Sequence, residues 1–428
     1  MFQLLALCVK AHPADPPLSG TLEWNGSHLL LASQPYAGIG LNVVDAAALW
    51  GTGNVKALED AANLGVPFVR FAAAPYWPDE LQSWRADPEK KFSQRLDVAV
   101  QAAERLRIRL IPDLLWNPFA FADLCNEPLA ALYDKDHNAP RAAISCTRQA
   151  ASSYATQVVQ RYATSPAILF WELSNENNAL VDGFMNGSTA ACDPERGTPP
   201  RRTDEDNFDT AQMVDTFGWL ADAIRRADPA RRLVNAGTSM PRPFAQHWRD
   251  TPRAQVAKHH MDGTLDNRSA FVANLRDTNA RTDFVSAHMG ELSDNAQRAW
   301  LENTTDPVAL LETARAAAAG SSQPFYLGEF TATIAKVGGR SYGYAEAVID
   351  WVLGVDSRLG GGGGLLSSVW VFEYAPQAAA WSLEPGRDDE LLDKLSAANR
   401  VLSRAQLRAP PRAARSGVPM GVPRSLNV

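Results

Sequence analysis

Eight short, nearly continuous apolar runs alternate along the chain with segments of helical periodicity. That alternation restricts the fold more than any other feature. The runs fall at 38–42, 67–72, 109–115, 168–174, 233–237, 284–288, 325–330 and 368–372. Continuous apolar runs, as opposed to alternating ones, are what parallel strands covered on both faces require. Helical patterns occupy 55–64, 92–106, 150–162, 208–226, 307–319, 344–353 and 390–402, while the stretch after the fifth strand is less clear. In the first of these helices Gly65 supplies the left-handed stop. Regular alternation of this kind predicts a (β/α)8 TIM barrel over a doubly wound sheet.

At 428 residues the chain is long for a barrel of about 250. The excess sits in tails and in long loops after the strands, so it predicts cleft walls in place of extra domains. The expected organisation is a leader or extension over 1–20, a barrel over 21–403 and an Arg/Pro-rich disordered tail over 404–428. The five glycines at 360–364 are not followed by Gly-Lys-Ser/Thr, so they form a turn and no phosphate cradle. The net charge of −7 offers no basic field for nucleic acid. No apolar run is long enough to span a membrane. Four cysteines include no Cys-x-x-Cys pair, which argues against zinc ribbons and thioredoxin-like chemistry. Cys125 and Cys146 flank one loop and are read equally as a bridge or as two free thiols. Residues 1–8 are apolar but lack a basic flank, so they are no convincing signal peptide.

In such a barrel, chemistry belongs at the C-terminal strand ends. Those ends carry Arg70, Trp116 with Asn117, Asn175 with Glu176, His288, Glu329 and Trp370. Two glutamates, on the fourth and seventh strands, face one another across the barrel mouth. A converging carboxyl pair fits glycosidic cleavage with retention, in which one attacks and the other serves as acid and then base. Their environments must drive their pKa values apart, and Arg70 is placed to hold Glu329 ionised.

The stretch Tyr162-Ala-Thr-Ser-Pro166 through Trp171-Glu172-Leu-Ser-Asn175-Glu176 resembles the fourth-strand signature of glycoside hydrolase clan A, family five in particular (cellulases and β-mannanases). Phe325-Tyr-Leu-Gly328-Glu329-Phe330 is similar to the clan's seventh-strand nucleophile segment. Looser likeness extends to 38–42, 69–71 and 369–370, and the resemblance covers roughly 20–403. It implies a retaining β-glycosidase, mannanase- or glucanase-like, that acts on an oligo- or polysaccharide. No cofactor and no metal are implied, and secretion or periplasmic export follows from the substrate class. Glu176 would be the acid/base and Glu329 the nucleophile. Asn175, Arg70, His288, Trp370, Trp116 and Asn117 would bind substrate.

Two departures from the family pattern stand out. His288-Met289-Gly290 lacks the usual strand-six tyrosine, and the third strand ends in Trp116-Asn117 where histidine is common. The missing tyrosine motivates an alternative, a sugar-binding barrel without catalysis, against which both glutamates argue. A metal-dependent hydrolase is disfavoured because, of seven histidines, only His288 falls at a predicted strand end. The tripeptide Asn126-Glu127-Pro128 copies a family motif, but no strand leads into it; a helix start at Pro128 explains it. The pair His259-His260 with Asp262 reads as a surface loop. Trp50, Tyr76, Trp77, Trp116, Trp248 and Trp381 are candidate sugar platforms, whereas Trp171, Trp219 and Trp351 are assigned to packing. Sugar identity, endo or exo action and oligomeric state stay open at this level.

Overall fold

The computed structural model describes residues 18–47, 49, 53–133, 144–181, 185–251, 264–289, 307–332, 334–336, 339–355 and 365–408. Trp50, the His259–Asp262 cluster, Gly290, the five-glycine run, residues 1–17 and residues 409–428 lie outside them.

Thirteen strands occur among the described residues, in chain order β1 (Leu22–Trp24), β2 (Leu29–Leu31), β3 (Gln34–Pro35), β4 (Gly38–Asn42), β5 (Phe68–Ala72), β6 (Arg109–Asp113), β7 (Trp171–Glu172), β8 (Val234–Asn235), β9 (Val285–Met289), β10 (Phe325–Thr331), β11 (Ile334–Lys336), β12 (Gly339–Ser341) and β13 (Leu366–Trp370). Eight of them, β4 to β10 and β13, form one parallel sheet in the order β8-β7-β6-β5-β4-β13-β10-β9. The expected (β/α)8 barrel is therefore present. Its outer ring comprises the helices Val55–Asn63, Asp97–Leu106, Cys146–Tyr162, Thr210–Ala227, Arg268–Thr278, Pro307–Gly320, Gly343–Leu353 and Asp389–Arg408. The fifth of these fills the position that the sequence pattern left unclear. The last continues to Arg408, beyond the point where a tail was expected.

Local chemistry explains the helix boundaries. Asn54, Ser145, Asp209 and Asn267 each accept a backbone N–H at a helix start, and Asp209 with Gln212 forms a capping box. Gly65 takes the left-handed conformation where the first helix stops.

The sheet does not close by a continuous ladder. Between β8 and β9 the seam is held by Asp283 N–H to Val234 O (2.8 Å) and Met240 N–H to His288 O (3.0 Å). Beside them Thr238 Oγ1 donates to the Ser286 carbonyl (2.9 Å) and lies 3.1 Å from Asn279 Oδ1.

The barrel interior is divided by height. Its lower part is apolar, with Phe68, Ile111, Phe170, Phe284, Tyr326 and Leu366 in one cluster. Leu22 and Leu29, from the antiparallel β1–β2–β3 sheet, join that cluster and plug the lower end. The sequence pattern had left this small sheet unassigned, because its strands are only two or three residues long. Above the apolar layer the inward positions are polar: Asn42, Arg70, Asp113, Glu172 and Asn235 are all 0% exposed.

Candidate active site

Arg70, on β5, organises the upper layer. Its Nε donates to Glu172 (2.5 Å), Nη1 to Asn42 (2.9 Å) and Glu329 (2.6 Å), and Nη2 to Asn175 (2.8 Å) and Asp113 (3.3 Å). Glu172 also accepts from Asn235 Nδ2 (2.5 Å), and Asn42 donates to the Gly328 and Val369 carbonyls. Burial works against the Arg70 charge, but Glu172, then Glu329 and Asp113, outweigh it and hold the guanidinium protonated. Asp113 is pushed well above the usual carboxylate range, first by burial and then by Glu172, with Arg70 opposing. One arginine cannot neutralise every carboxylate around it, and the upward shift of Asp113 reflects that shortfall.

This corrects one expectation. Arg70 was grouped with the substrate-binding residues, yet its side chain is 0% exposed and its donors are taken up by protein acceptors. It acts beneath the site, on the residues that face the cleft.

Glu176 and Glu329 converge as the spacing implied. One oxygen of each, together with a ring nitrogen of His288, lie within 4.8 Å of one another. His288 Nδ1 is 3.3 Å from Glu176 Oε1 and 3.4 Å from Glu329 Oε1. Glu329 is tucked in, at 13% side-chain exposure, whereas Glu176 keeps 39% at the cleft wall. The Glu176 backbone is left-handed (φ 55°), an uncommon state for a residue with a Cβ and one that clusters at functional sites. Its N–H donates to the Gly237 carbonyl (2.7 Å). Gly237 is itself left-handed (φ 72°), and a Cβ there would lie 1.7 Å from the Ser174 carbonyl oxygen. Only glycine lets the β8 end approach so closely, and that approach fixes the Glu176 backbone.

The two carboxyls are shifted in opposite directions. Burial pushes Glu329 up and Glu176 adds to this, against His288 and Arg70. Burial also pushes Glu176 up, but the adjacent His288, then Arg70 and Arg242, outweigh it and draw the group below its ordinary value.

Both glutamates open into a cleft of about 370 Å³ that Asn175, Trp116 and Trp370 also line. The Trp116 and Trp370 rings stack 6.0 Å apart at 25°, and the Arg70 guanidinium lies 4.6 Å from the Trp116 ring centre. Tyr76 and Trp381, two of the candidate platforms, line the cleft as well, joined by Tyr374. The other candidates sit elsewhere: Trp77 packs edge-on against Tyr76 under Arg196, and Trp248 packs against Phe244. Asn117 does not line the cleft; its amide donates to the Tyr76 carbonyl (2.7 Å) and holds that loop. Trp171 and Trp351 are buried in the packing, and Trp219 is half-buried beneath Arg148.

The Asn126-Glu127-Pro128 tripeptide has a structural role. Asn126 ends the helix Phe119–Cys125 in a left-handed cap, and Glu127 accepts from the backbone of Cys146 and Thr147 at the next helix start. Cys125 and Cys146 are joined in a disulfide across this junction, with Cα atoms 5.7 Å apart, which decides the pairing left open above.

The sequence pattern assigns no role to Asp113 and Glu172, although both lie in predicted strands. The signal was available: a charged residue inside an otherwise apolar parallel strand has to be paired.

No protein-family model matches the chain. Over 118 residues it is 29% identical to a probable mannan endo-1,4-beta-mannosidase C of Aspergillus terreus. That stretch is 27% of this chain and spans only 28% of the relative's length. Among solved structures it is similar to the endo-1,4-beta-mannanase of Rhizomucor miehei, with TM-score 0.58 and 16% identity over 90% of this chain and 100% of that one. It is also similar to a glycoside hydrolase family 5 mannosidase of the same organism, with TM-score 0.56 and 13% identity over 91% and 99%. The fold is that of the family 5 barrels. The first, second, fourth, seventh and eighth barrel strands that carried the resemblance all take their places in it.

Proposed function

We propose that the chain is a retaining β-glycosidase that cleaves a mannan-type β-linked glycan. The observation that carries this reading is the pair Glu176 and Glu329, with carboxylate oxygens within 4.8 Å at the base of an aromatic-walled cleft. Retention needs the carboxyls about 5–5.5 Å apart, whereas inversion needs about 6.5–9.5 Å to admit a water. The closest approach of the pair supports retention.

In this reading Glu329 attacks the anomeric carbon. Its Oε1 is held by Arg70 Nη1, which restrains the carboxylate and stabilises its charge. Glu176, the more exposed of the two, donates its proton to the departing oxygen and then takes one from water. Arg70 occupies Asn175 Oδ1, so the Asn175 amide N–H groups are the end left to bind a sugar hydroxyl. Trp370, steadied by its indole N–H to Gln377 (2.9 Å), forms a floor beside Trp116 for the sugar face.

Without substrate the two pKa directions run opposite to the reaction's need, since Glu176 is drawn down and Glu329 is pushed up. The strand-six tyrosine is replaced, in this account, by Arg70 and His288, both within 3.4 Å of the Glu329 carboxylate.

The test is hydrolysis of β-mannan, β-glucan, xylan and aryl β-glycosides, with Glu176→Gln and Glu329→Ala alongside. General acid–base groups contribute about 10²–10⁴-fold, so turnover of the cleaved substrate drops at least that far in both variants. Unchanged turnover in either one refutes the assignment. Anomeric NMR of the first product reports retention.

A further inference from the structure

We propose that the gap between Glu176, His288 and Glu329 is also a binding site for a borderline divalent cation, Zn²⁺, which excludes substrate while bound. Its effect on turnover rests on the glycosidase reading above, whereas the binding itself does not.

The geometry comes first. Ligands about 2.0–2.1 Å from a tetrahedral zinc lie about 3.3–3.4 Å from each other. His288 Nδ1 is 3.3 Å from one glutamate oxygen and 3.4 Å from the other, which matches two edges of that tetrahedron. The mixed nitrogen–oxygen set suits Zn²⁺ better than Mg²⁺ or Ca²⁺, which favour oxygen ligands alone. The cleft supplies room for a water in the fourth position.

His288 provides the second observation. Its side chain is 1% exposed; among the described residues Nδ1 faces the two glutamate oxygens at 3.3 and 3.4 Å, outside good hydrogen-bond geometry, and Nε2 has no hydrogen-bond partner. Nε2 is walled in by the Gly328 backbone, where a Cβ would lie 2.5 Å away. Nδ1 is therefore the nitrogen that faces the glutamates. Contacts that long satisfy a buried ring nitrogen poorly, and an ion in the gap would replace them with direct bonds.

Charge favours the same occupant. Four carboxyl groups, Asp113, Glu172, Glu176 and Glu329, gather around Arg70, which ion-pairs with three of them. The site also lacks one feature of a dedicated zinc centre, because the second ring nitrogen has no carboxylate or carbonyl to orient it. Exchangeable, inhibitory occupancy follows, in place of a permanent structural metal.

Isothermal titration of the chelator-treated, desalted full chain with ZnCl₂ tests the site directly. One ion per chain is expected, with affinity at least about tenfold weaker in Glu176→Gln and in His288→Gln. Glu176→Gln is nearly isosteric and lies at the cleft wall, so it keeps the test valid if His288→Gln misfolds. His28→Ala, on the exposed β1–β2 turn, should titrate like wild type. No binding, or binding unaltered in both site variants, overturns the proposal. In the activity arm, Zn²⁺ raises the apparent KM for the cleaved glycan with kcat unchanged, and chelator reverses this. Inhibition that lowers kcat alone, or activity that requires the ion, also overturns it. If no glycan is cleaved at all, the glycosidase reading fails while the titration still decides the metal site.

Discussion

Two layers of the barrel interior sit one above the other and solve opposite problems. The lower holds Phe68, Phe170, Phe284 and Tyr326 with the plug residues Leu22 and Leu29, all fully or almost fully buried and packed as an ordinary core. The upper holds Arg70, Asp113 and Glu172 in the same geometric position on the same strands, equally inaccessible to water. Apolar side chains tolerate one another in many arrangements, so the lower layer is specified by volume. Buried charges are stable only with every partner in place, so the upper layer is specified atom by atom. The lower layer supplies stability and the upper one spends part of it to hold two carboxyls in register.

Removing the hub of the upper layer breaks this contrast most severely. Arg70→Met leaves Glu172 and Glu329 without their cation, and losing one partner of a buried pair costs about 3–5 kcal/mol. Denaturant unfolding should show that loss, and the protein that remains folded should be essentially inactive. Activity retained by the folded fraction would mean that Arg70 only packs.

Phe170→Ala attacks the other layer. A buried Phe→Ala change costs about 3–5 kcal/mol, similar to Arg70→Met. Here kcat per folded molecule should stay near wild type, because the cavity opens away from the glutamates. Titrating the folded fraction by circular dichroism separates the two effects. Equal losses of specific activity in both variants would erase the proposed division of labour.

The sequence disclosed the layers unevenly. Continuous apolar runs mark β4 to β6, β9, β10 and β13, because parallel strands need such runs. The β7 and β8 runs were predicted at seven and five residues, but each forms only a two-residue ladder. Their backbone bonding continues as isolated pairs such as Leu173 N–H to Asn235 O, which periodicity cannot show. Glu176 and Glu329 were legible from position and motif together. The role of Arg70 was half legible: its link to Glu329 was foreseen, but its burial was not, since depth within a barrel depends on shear and strand tilt. Gly237 gave no sign of its importance, because the carbonyl it accommodates is 63 residues away in sequence.

A subtler test concerns pH. Asp113 is raised by burial, so the native state keeps a proton that the unfolded chain has released. The contribution of Asp113 to stability is therefore fullest below the unfolded value near 3.8 and declines as pH rises towards the folded value. Asp113→Asn mimics the protonated form and should flatten the dependence of Tm on pH above about 4. An unchanged slope would mean that another group carries the titration.

The smallest effect belongs to the outer ring. Asp97 is drawn down by hydrogen bonds from Arg161 and, against burial, from Tyr162. Its contribution is therefore present above the unfolded value and lost as pH falls through the folded one. The pair is partly exposed, so Asp97→Asn should cost about 0.2–1 kcal/mol at neutral pH, less at acid pH, with turnover unaffected. A change in kcat would show that the layers communicate with the ring.

The seam between β8 and β9 makes the barrel behave like a split collar. The other neighbours in the sheet are joined by strand pairing, but here scattered bonds, among them Asp283 N–H to Val234 O, Val234 N–H to Asp283 Oδ2, Met240 N–H to His288 O and the Thr238–Ser286–Asn279 cluster, carry the hoop stress. The slit runs up between Gly237, which braces Glu176, and His288, which stands against both glutamates. Spreading it would therefore alter the spacing of Glu176 and Glu329.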